Sequence, residues 1–218
     1  MESPHQQPPM IINEITYPGG TRVLVWRLEE DAPRLLALCR EAGIVADDLE
    51  GLPVKRQREK AAERLLLYRA LGHPVTLSHD RQGAPSVEGQ EHVNISITHT
   101  PRLVALAVDD SQVIGLDAEL MDRRQVLRVR DKFLNAGEQQ FIDPGDLAAH
   151  VVAWTAKEAI IKGERNSAID WTEEIRLEKF VVSGGETVLE AACGDRRYRL
   201  LSRSIDGHYL TLAAPRQR

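Results

Sequence analysis

Three carboxylates and a few lysines carry most of the chemistry this chain could perform. Val113–Leu120 reads V-I-G-L-D-A-E-L. On a strand, side chains alternate between faces. Ile114, Leu116, Ala118 and Leu120 are therefore expected on the core face, with Val113, Gly115, Asp117 and Glu119 on the other. Two carboxylates on one strand face repel each other, and the glycine beside them leaves space. A hard divalent cation held by oxygen ligands, Mg²⁺ in particular, suits that arrangement; an exposed polar strand end also accounts for it. The third carboxylate is Glu158, within V-V-A-W-T-A-K-E-A-I-I-K (Val151–Lys162). At roughly 100° per residue, a helix there centres Glu158 among Val151, Trp154, Thr155, Ile161 and Lys162, its least polar face. A carboxylate in that company is costly to bury alone. Lys162 at i+4 is one candidate partner, and a metal ion is another. Together, Asp117, Glu119 and Glu158 outline a three-carboxylate metal site with Lys157 and Lys162 beside it. Mg²⁺ with nearby lysines is a common means of neutralising a di- or triphosphate.

Two further stretches supply candidates. In N-I-S-I-T-H-T (Asn94–Thr100) a strand runs out into a loop with two hydroxyls and an imidazole. His99 there has three readings: a phosphate contact, a base, or an ordinary loop histidine. Lys55, Arg56, Arg58, Lys60, Arg64 and Arg69 form a basic run. Arg58, Lys60 and Arg69 fall on a face expected to be solvated, whereas Arg64, followed by Leu65–Leu67, lies nearer the apolar stripe. No H-x-x-x-H or C-x-x-C pair points to zinc. Neither a P-loop, a G-x-G-x-x-G fingerprint nor a G-x-S-x-G element is present.

The elements that must position these residues follow from pattern. Thr21–Leu28 reads as a strand, Glu30–Val45 as an amphipathic helix, and Lys55–Leu71 as a stronger helix closed by Gly72 and Pro74. Val75–Ser78 starts a strand and Asp80–Pro85 is a turn. Strands are expected at His92–Thr98, Leu103–Val108 and Val113–Leu120. Helices then return at Arg123–Leu134, Ala136–Ile142 and Val151–Lys162. The last quarter is β-rich: Ile175–Val182, Thr187–Ala191, Arg197–Ser202 and His208–Ala213, separated by G-G, G-D and D-G turns. Strand, helices, strands thus occurs twice. The expected class is α+β in two pseudo-equivalent halves with a cleft between them, a usual place for ligands. Residues 1–10 form a polar, proline-rich tail, 11–110 the first lobe, and 111–218 a second lobe carrying the metal site.

Composition narrows the class. The 218 residues are 42% hydrophobic and 28% charged, ordinary for a globular protein, and the net charge of −5 argues against a nucleic-acid-binding surface. Cys39 and Cys193 have no metal-type spacing and suit a reducing compartment. The N-terminus lacks the basic start and apolar run of a signal peptide, and no apolar run reaches the length of a membrane span. A soluble, cytoplasmic protein with neither a nucleic-acid nor a membrane partner is expected.

The ordered set S-I-T-H-T, I-G-L-D-A-E, F-L-N-A-G-E and W-T-A-K-E-A-I-I-K resembles the 4′-phosphopantetheinyl transferase superfamily, most closely its surfactin-type, pseudo-dimeric single-chain branch. The resemblance covers about Lys55 to Phe180 and rests on four motifs in order. It implies two pseudo-equivalent α/β lobes with the active site between them. The activity it implies is Mg²⁺-dependent transfer of 4′-phosphopantetheine from coenzyme A to a serine of an acyl or peptidyl carrier protein, releasing 3′,5′-ADP. Mn²⁺ is an alternative metal. Carried over by motif, Asp117, Glu119 and Glu158 match the metal ligands. Lys162 matches the lysine that contacts the coenzyme A phosphates and protonates the leaving phosphate, and Lys157 a second phosphate-side lysine. His99 matches the contact to the 3′-phosphate, with Thr98 and Thr100 where serines are usual. Arg64 matches a nucleotide-phosphate arginine, Lys55 and Arg56 match basic residues near the adenylate, and Glu138 matches a proposed base. The family commonly reads G-K-P where this chain has Gly83-Ala84-Pro85. The lysine of the 3′-phosphate is therefore missing, with Arg81 as its nearest substitute in sequence. The alternative is a degenerate member that binds coenzyme A or a nucleotide without transfer. A chain holding both lobes is expected to be a monomer.

Overall fold

The computed structural model describes residues 12–216; the tail expected at residues 1–10 lies outside them. The chain opens with β1 (Ile12–Thr16) and β2 (Arg22–Arg27), then α1 (Ala32–Glu41) and α2 (Val54–Leu71). Asp31 caps α1 by accepting the Arg34 N–H at 2.9 Å. Gly72 ends α2 in the left-handed conformation, φ 81°, which costs glycine no Cβ clash. A short hairpin follows, β3 (Leu77–His79) with β4 (Pro85–Val87), then β5 (Asn94–Thr100) and β6 (Leu103–Asp109). The second half is β7 (Gly115–Leu120), α3 (Gln125–Arg128), α4 (Glu138–Phe141), α5 (Leu147–Glu164), β8 (Ile175–Leu177), β9 (Glu186–Cys193), β10 (Arg196–Ile205) and β11 (His208–Pro215).

The result is a mixed α+β fold with antiparallel sheets. One sheet has the order β1-β2-β6-β5, the other β7-β11-β10-β9-β8. In each, the strand that precedes an 18-residue helix pairs with the last strand of a closing hairpin: β2 with β6, β7 with β11. Asp206 and Gly207, both at positive φ, make the tight turn of the β10–β11 hairpin.

Three apolar clusters organise the interior. One lies between the first sheet and α1 and α2, around Leu24, Trp26, Leu66 and Leu106. The second packs α5 against the second sheet, around Val152, Ala156, Ile160 and Leu200. The third belongs to both halves: Val23, Val25, Leu103 and Ala105 of the first sheet meet Ile114, Leu116, Leu210 and Leu212 of the second. Ile114, Leu116 and Ala118 thus face a core as their alternation predicts.

Strands β5 and β7 lie side by side without a backbone ladder. Side-chain hydroxyls join them instead. Ser96 Oγ accepts the Leu116 N–H at 2.9 Å and Thr98 Oγ1 accepts the Ala118 N–H at 3.2 Å. Two residues further on, Thr100 Oγ1 lies 2.9 Å from Nε2 of buried His208. The alternating hydroxyls of S-I-T-H-T therefore stitch the two halves together.

Several element boundaries differ from the sequence expectation. β1 has no counterpart in it, because I-N-E-I-T is short and half polar. The helix expected over Arg123–Leu134 is one α-turn and one 3₁₀ turn (Arg130–Lys132), broken where Val129 adopts φ −111°, ψ 11°. The strand expected over Ile175–Val182 stops at Leu177. α5 begins four residues before Val151, at a cap in which Asp146 accepts the Ala149 N–H at 2.9 Å.

Candidate active site

The close approach of α5 to β7 builds the site. A Cβ on Gly115 would stand 1.7 Å from the carbonyl oxygen of Ala159 and 2.7 Å from the nitrogen of Gly163. Only glycine lets the helix backbone lie directly on the strand. The space beside the two acids of β7 is thus not left open for a ligand, as the motif suggests; helix backbone fills it. That contact carries Glu158 and Lys162, on either side of Ala159, over Asp117.

Lys162 Nζ donates to Asp117 Oδ1 at 2.8 Å, to the Leu116 carbonyl at 3.0 Å and to the Ile97 carbonyl at 3.4 Å. It therefore spans both halves, and it pairs with Asp117 rather than with Glu158. Thr98, which accepts from Ala118, donates to the same Asp117 oxygen at 3.1 Å. The Glu158 carboxylate has no hydrogen bond with a described side chain or backbone group: burial and then the Asp117 charge push it up, with Lys162 and Arg123 pulling the other way. The helix presents Glu158 on its partly exposed stripe with Trp154, Ile161 and Lys162. Sequence periodicity puts it on the most apolar face, but α5 is covered on nearly all sides, so the hydrophobic face and the buried face do not coincide. Glu119 is ion-paired with Arg123, whose guanidinium lies 5.2 Å over the Trp154 ring.

Among the described residues no three His, Cys, Asp or Glu side chains converge closely enough to hold a metal ion together. The expected triad of Asp117, Glu119 and Glu158 is therefore not a formed cage, because Glu119 is drawn to Arg123 and Asp117 to Lys162. Asp117 and Glu158 do fit an oxygen-preferring divalent ion. They face each other closely enough for repulsion to raise Glu158, and one or two carboxylates commonly suffice for Mg²⁺ when a phosphate supplies the rest.

The remaining candidates divide sharply. Lys55, Arg56 and His99 do come together, around buried Glu59: Arg56 Nη1 and His99 Nε2 lie 3.3 and 3.4 Å from it, Lys55 Nζ 3.7 Å. Lys60 pairs with buried Glu63 at 2.7 Å on the next turn of α2, and Arg58 donates to the Glu30 and Leu28 carbonyls; neither is simply solvated. His79, on the facing hairpin, is pulled below its usual range by burial and then by Lys60.

Arg64 is not at the site. It makes a two-pronged pair with Asp48 at 2.7 Å and donates to the Val45 carbonyl, pinning the loop before α2. Thr98 and Thr100 are buried in the seam; Thr98 orients Asp117 and neither faces the cleft. Lys157 and Glu138 form an ion pair at 2.7 Å with 0% and 1% of their side chains exposed. Lys157 also donates to the Trp171 and Ile175 carbonyls, while Glu138 accepts the Asn135 and Leu177 N–H groups. Burial pulls Lys157 down, with Glu138 opposing. All three Lys157 donors and both Glu138 oxygens are spent on fastening α5 to its surroundings, and neither side chain reaches the cleft, which leaves no phosphate contact for Lys157 and no base role for Glu138.

Beside Lys162 opens a pocket of about 180 Å³, walled by Ala84 and Pro85 of the hairpin turn, Ser96 and Ile97 of β5, and Arg165 after α5. It takes one wall from each half of the molecule. Arg81 is exposed and does not line it. Arg123 and Arg165 escape the sequence reading. For Arg165 the missed signal is a helix ending on G-E-R-N with no glycine at the left-handed position.

Residues 113–210 match a sequence model of the 4′-phosphopantetheinyl transferase superfamily. The span begins just ahead of β7 and ends within β11, so it holds Asp117, Glu158 and Lys162. Two curated relatives, both named 4′-phosphopantetheinyl transferase AcpT, come from Salmonella typhi and Salmonella typhimurium. Each is 29% identical over 118 residues, 52% of this chain and 62% of the relative. The alignment thus covers less than two thirds of the relatives' length. No helix among the described residues is long and apolar enough to cross a membrane.

Proposed function

We propose that this protein transfers the 4′-phosphopantetheine group of coenzyme A to a serine of an acyl or peptidyl carrier protein, in a cleft between two pseudo-equivalent lobes. The observation that carries this reading is the Lys162–Asp117 pair. A cation and a carboxylate meet at 2.8 Å beside an inter-lobe pocket, with Glu158 alongside. The shared pairing of an opening strand with the last strand of a closing hairpin, and the equal length of the helix in each half, support the two-lobed description.

Asp117 and Glu158 would hold Mg²⁺, with Glu119 joining once its pair with Arg123 opens. When bound, the metal supplies positive charge at the pyrophosphate. In the transfer the carrier serine Oγ forms a bond to the β-phosphorus. The bond to the 3′,5′-ADP oxygen breaks, and ADP leaves with that electron pair. Lys162 stabilises the charge developing on the leaving phosphate. The serine proton passes to solvent, because Asp117 and Glu158 are committed to the metal and Glu138 is buried against Lys157. Catalysis rests on positioning and on fixed charge. The Lys55, Arg56 and His99 cluster holds the nucleotide end. The protein acts as a monomer in the cytoplasm, where coenzyme A and apo carrier proteins are found together.

Incubation with coenzyme A, Mg²⁺ and an apo carrier, read by mass spectrometry, tests the proposal. A gain of one phosphopantetheine group on the carrier serine is the expected result. Coenzyme A binding with no gain on several carriers would favour the degenerate reading, which the cation-held Asp117 and Glu119 and the missing lysine at Ala84 support. Binding of neither partner overturns both.

A further inference from the structure

Arg165 occupies a backbone conformation that its side chain does not favour. It follows α5 at φ 52°, ψ 34°, the left-handed region in which glycine or asparagine usually ends a helix. Among the described residues the only other non-glycine at positive φ is Asp206, and its tight hairpin turn explains that case. Strain of this kind, held in place at a pocket, is often tied to what the residue does there.

What Arg165 does is legible from its surroundings. The residue is half-buried and makes no ion pair with a described residue. It lines the inter-lobe pocket together with Ala84, and a second cavity of about 330 Å³ along Ser78, Ser86 and Gly89 of the same hairpin. Its charge reaches across to that hairpin. The Asp80 carboxyl is held below its usual range by the Ala84 and Gln82 N–H groups and by the Arg165 guanidinium. The other cation of the inter-lobe pocket, Lys162, already spends its protons on Asp117, Leu116 and Ile97. Of the two cations that line this pocket, Arg165 is thus the one without an ion pair, and it faces the turn whose own side chain at Ala84 carries no charge.

Resting on the coenzyme A reading, we propose that Arg165 binds the ribose 3′-phosphomonoester of coenzyme A. It supplies from the second half of the chain the cation that the hairpin of the first half lacks. A planar guanidinium with five donors suits a phosphomonoester dianion, to which it can present two parallel N–H groups. Left-handed backbone at residue 165 turns the chain sharply off the helix axis and sends the side chain back over the pocket instead of onward into solvent.

The test compares coenzyme A with dephospho-coenzyme A, which lacks only that phosphate, by titration calorimetry on the full chain. The wild-type protein is expected to prefer coenzyme A by about tenfold or more, the usual worth of a hydrogen bond to a charged group. Arg165→Gln is expected to lose that preference by weakening coenzyme A alone, and adding Ala84→Lys to it should restore the preference. Arg165→Gly, which the left-handed backbone accepts without strain, should show the same loss with a Tm no lower than wild type; it guards against a folding defect. A wild-type preference retained in both variants would overturn the assignment of Arg165 while leaving the coenzyme A reading intact. A wild-type protein that binds neither compound overturns the coenzyme A reading, and this proposal with it.

Discussion

Gly115→Ala should be among the most damaging single-methyl additions this protein can receive, and Gly163→Ala, on the facing element, among the most benign. The added carbon at residue 115 would lie 1.7 Å from the Ala159 oxygen and 2.8 Å from its carbonyl carbon, both backbone atoms that cannot rotate away. Ordinary contact begins near 3.4 Å, so α5 must retreat by about as far again as the offending distance. Interiors are close-packed and do not absorb such a shift locally. Overpacking against backbone belongs at the upper end of its range, about 3–5 kcal/mol. For a chain of this size that lowers Tm by roughly 10 °C or more. A methyl on Gly163 meets its nearest neighbour, the Gly115 nitrogen, at 3.4 Å, and replaces a poor helix former with the best, a gain of up to about 1 kcal/mol. Urea denaturation followed by circular dichroism reads both variants. Transfer activity, measured at a temperature where Gly115→Ala is still folded, should be lost, because the displaced helix takes Glu158 and Lys162 away from Asp117. A Gly115→Ala protein within about 1 kcal/mol of wild type, or one less affected than Gly163→Ala, would refute the close-approach account of the site.

Other outcomes follow from the pairings described above. Glu158→Gln should abolish transfer yet stabilise the fold at pH 7 by about 0.5–2 kcal/mol. A carboxyl raised in the folded state costs nothing below its unfolded value near 4.5; the penalty builds as pH rises above that and is complete above its folded value. The advantage in Tm must therefore vanish as pH falls towards 4, and an advantage independent of pH would contradict the cause given. Lys157→Met should cost about 3–5 kcal/mol by leaving Glu138 buried and unpaired. Adding Glu138→Gln should recover a good part of that loss in denaturant titrations, and simple additivity would argue against a direct pair. Arg64→Gln should leave the affinity for coenzyme A unchanged and alter stability by no more than about 1 kcal/mol; a large rise in KM would return Arg64 to the ligand.

Local pattern carried much of the fold. β5 and β7 follow from alternation, β6 from a short continuous apolar run, and the end of α2 at Gly72 from a single turn residue, all of which act over a few neighbours. The candidate site was legible by residue type and much less by role. That Asp117, Glu158 and Lys162 meet follows from motif order. That Lys157, one position from Glu158, is sealed against Glu138 does not, because a 100° step around a helix separates cleft from core and no local signal says which way the helix is turned. Arg64 and Asp48 are drawn together from separate elements, so nothing near either residue announces the pair. Gly115 reads in sequence as space; its use as a contact surface depends on a helix more than forty positions later. Thr98 and Thr100 read as ligand contacts because their seam partners, Ala118 and His208, are equally remote.

The apolar layer shared by the two sheets has a consequence for dissection. The span 113–210 is the part that matches the superfamily model, and an obvious fragment to express. Yet Ile114, Leu116, Leu210 and Leu212 on that span are covered by Val23, Val25, Leu103 and Ala105, all of which lie ahead of it. Cut between β6 and β7, each piece would expose its side of that layer to water and would bind its own kind before it found its other half. The two halves are therefore one cooperative unit. A single melting transition is the expected result for the whole chain in calorimetry, and the pocket beside Lys162, with a wall from each half, should be lost with it.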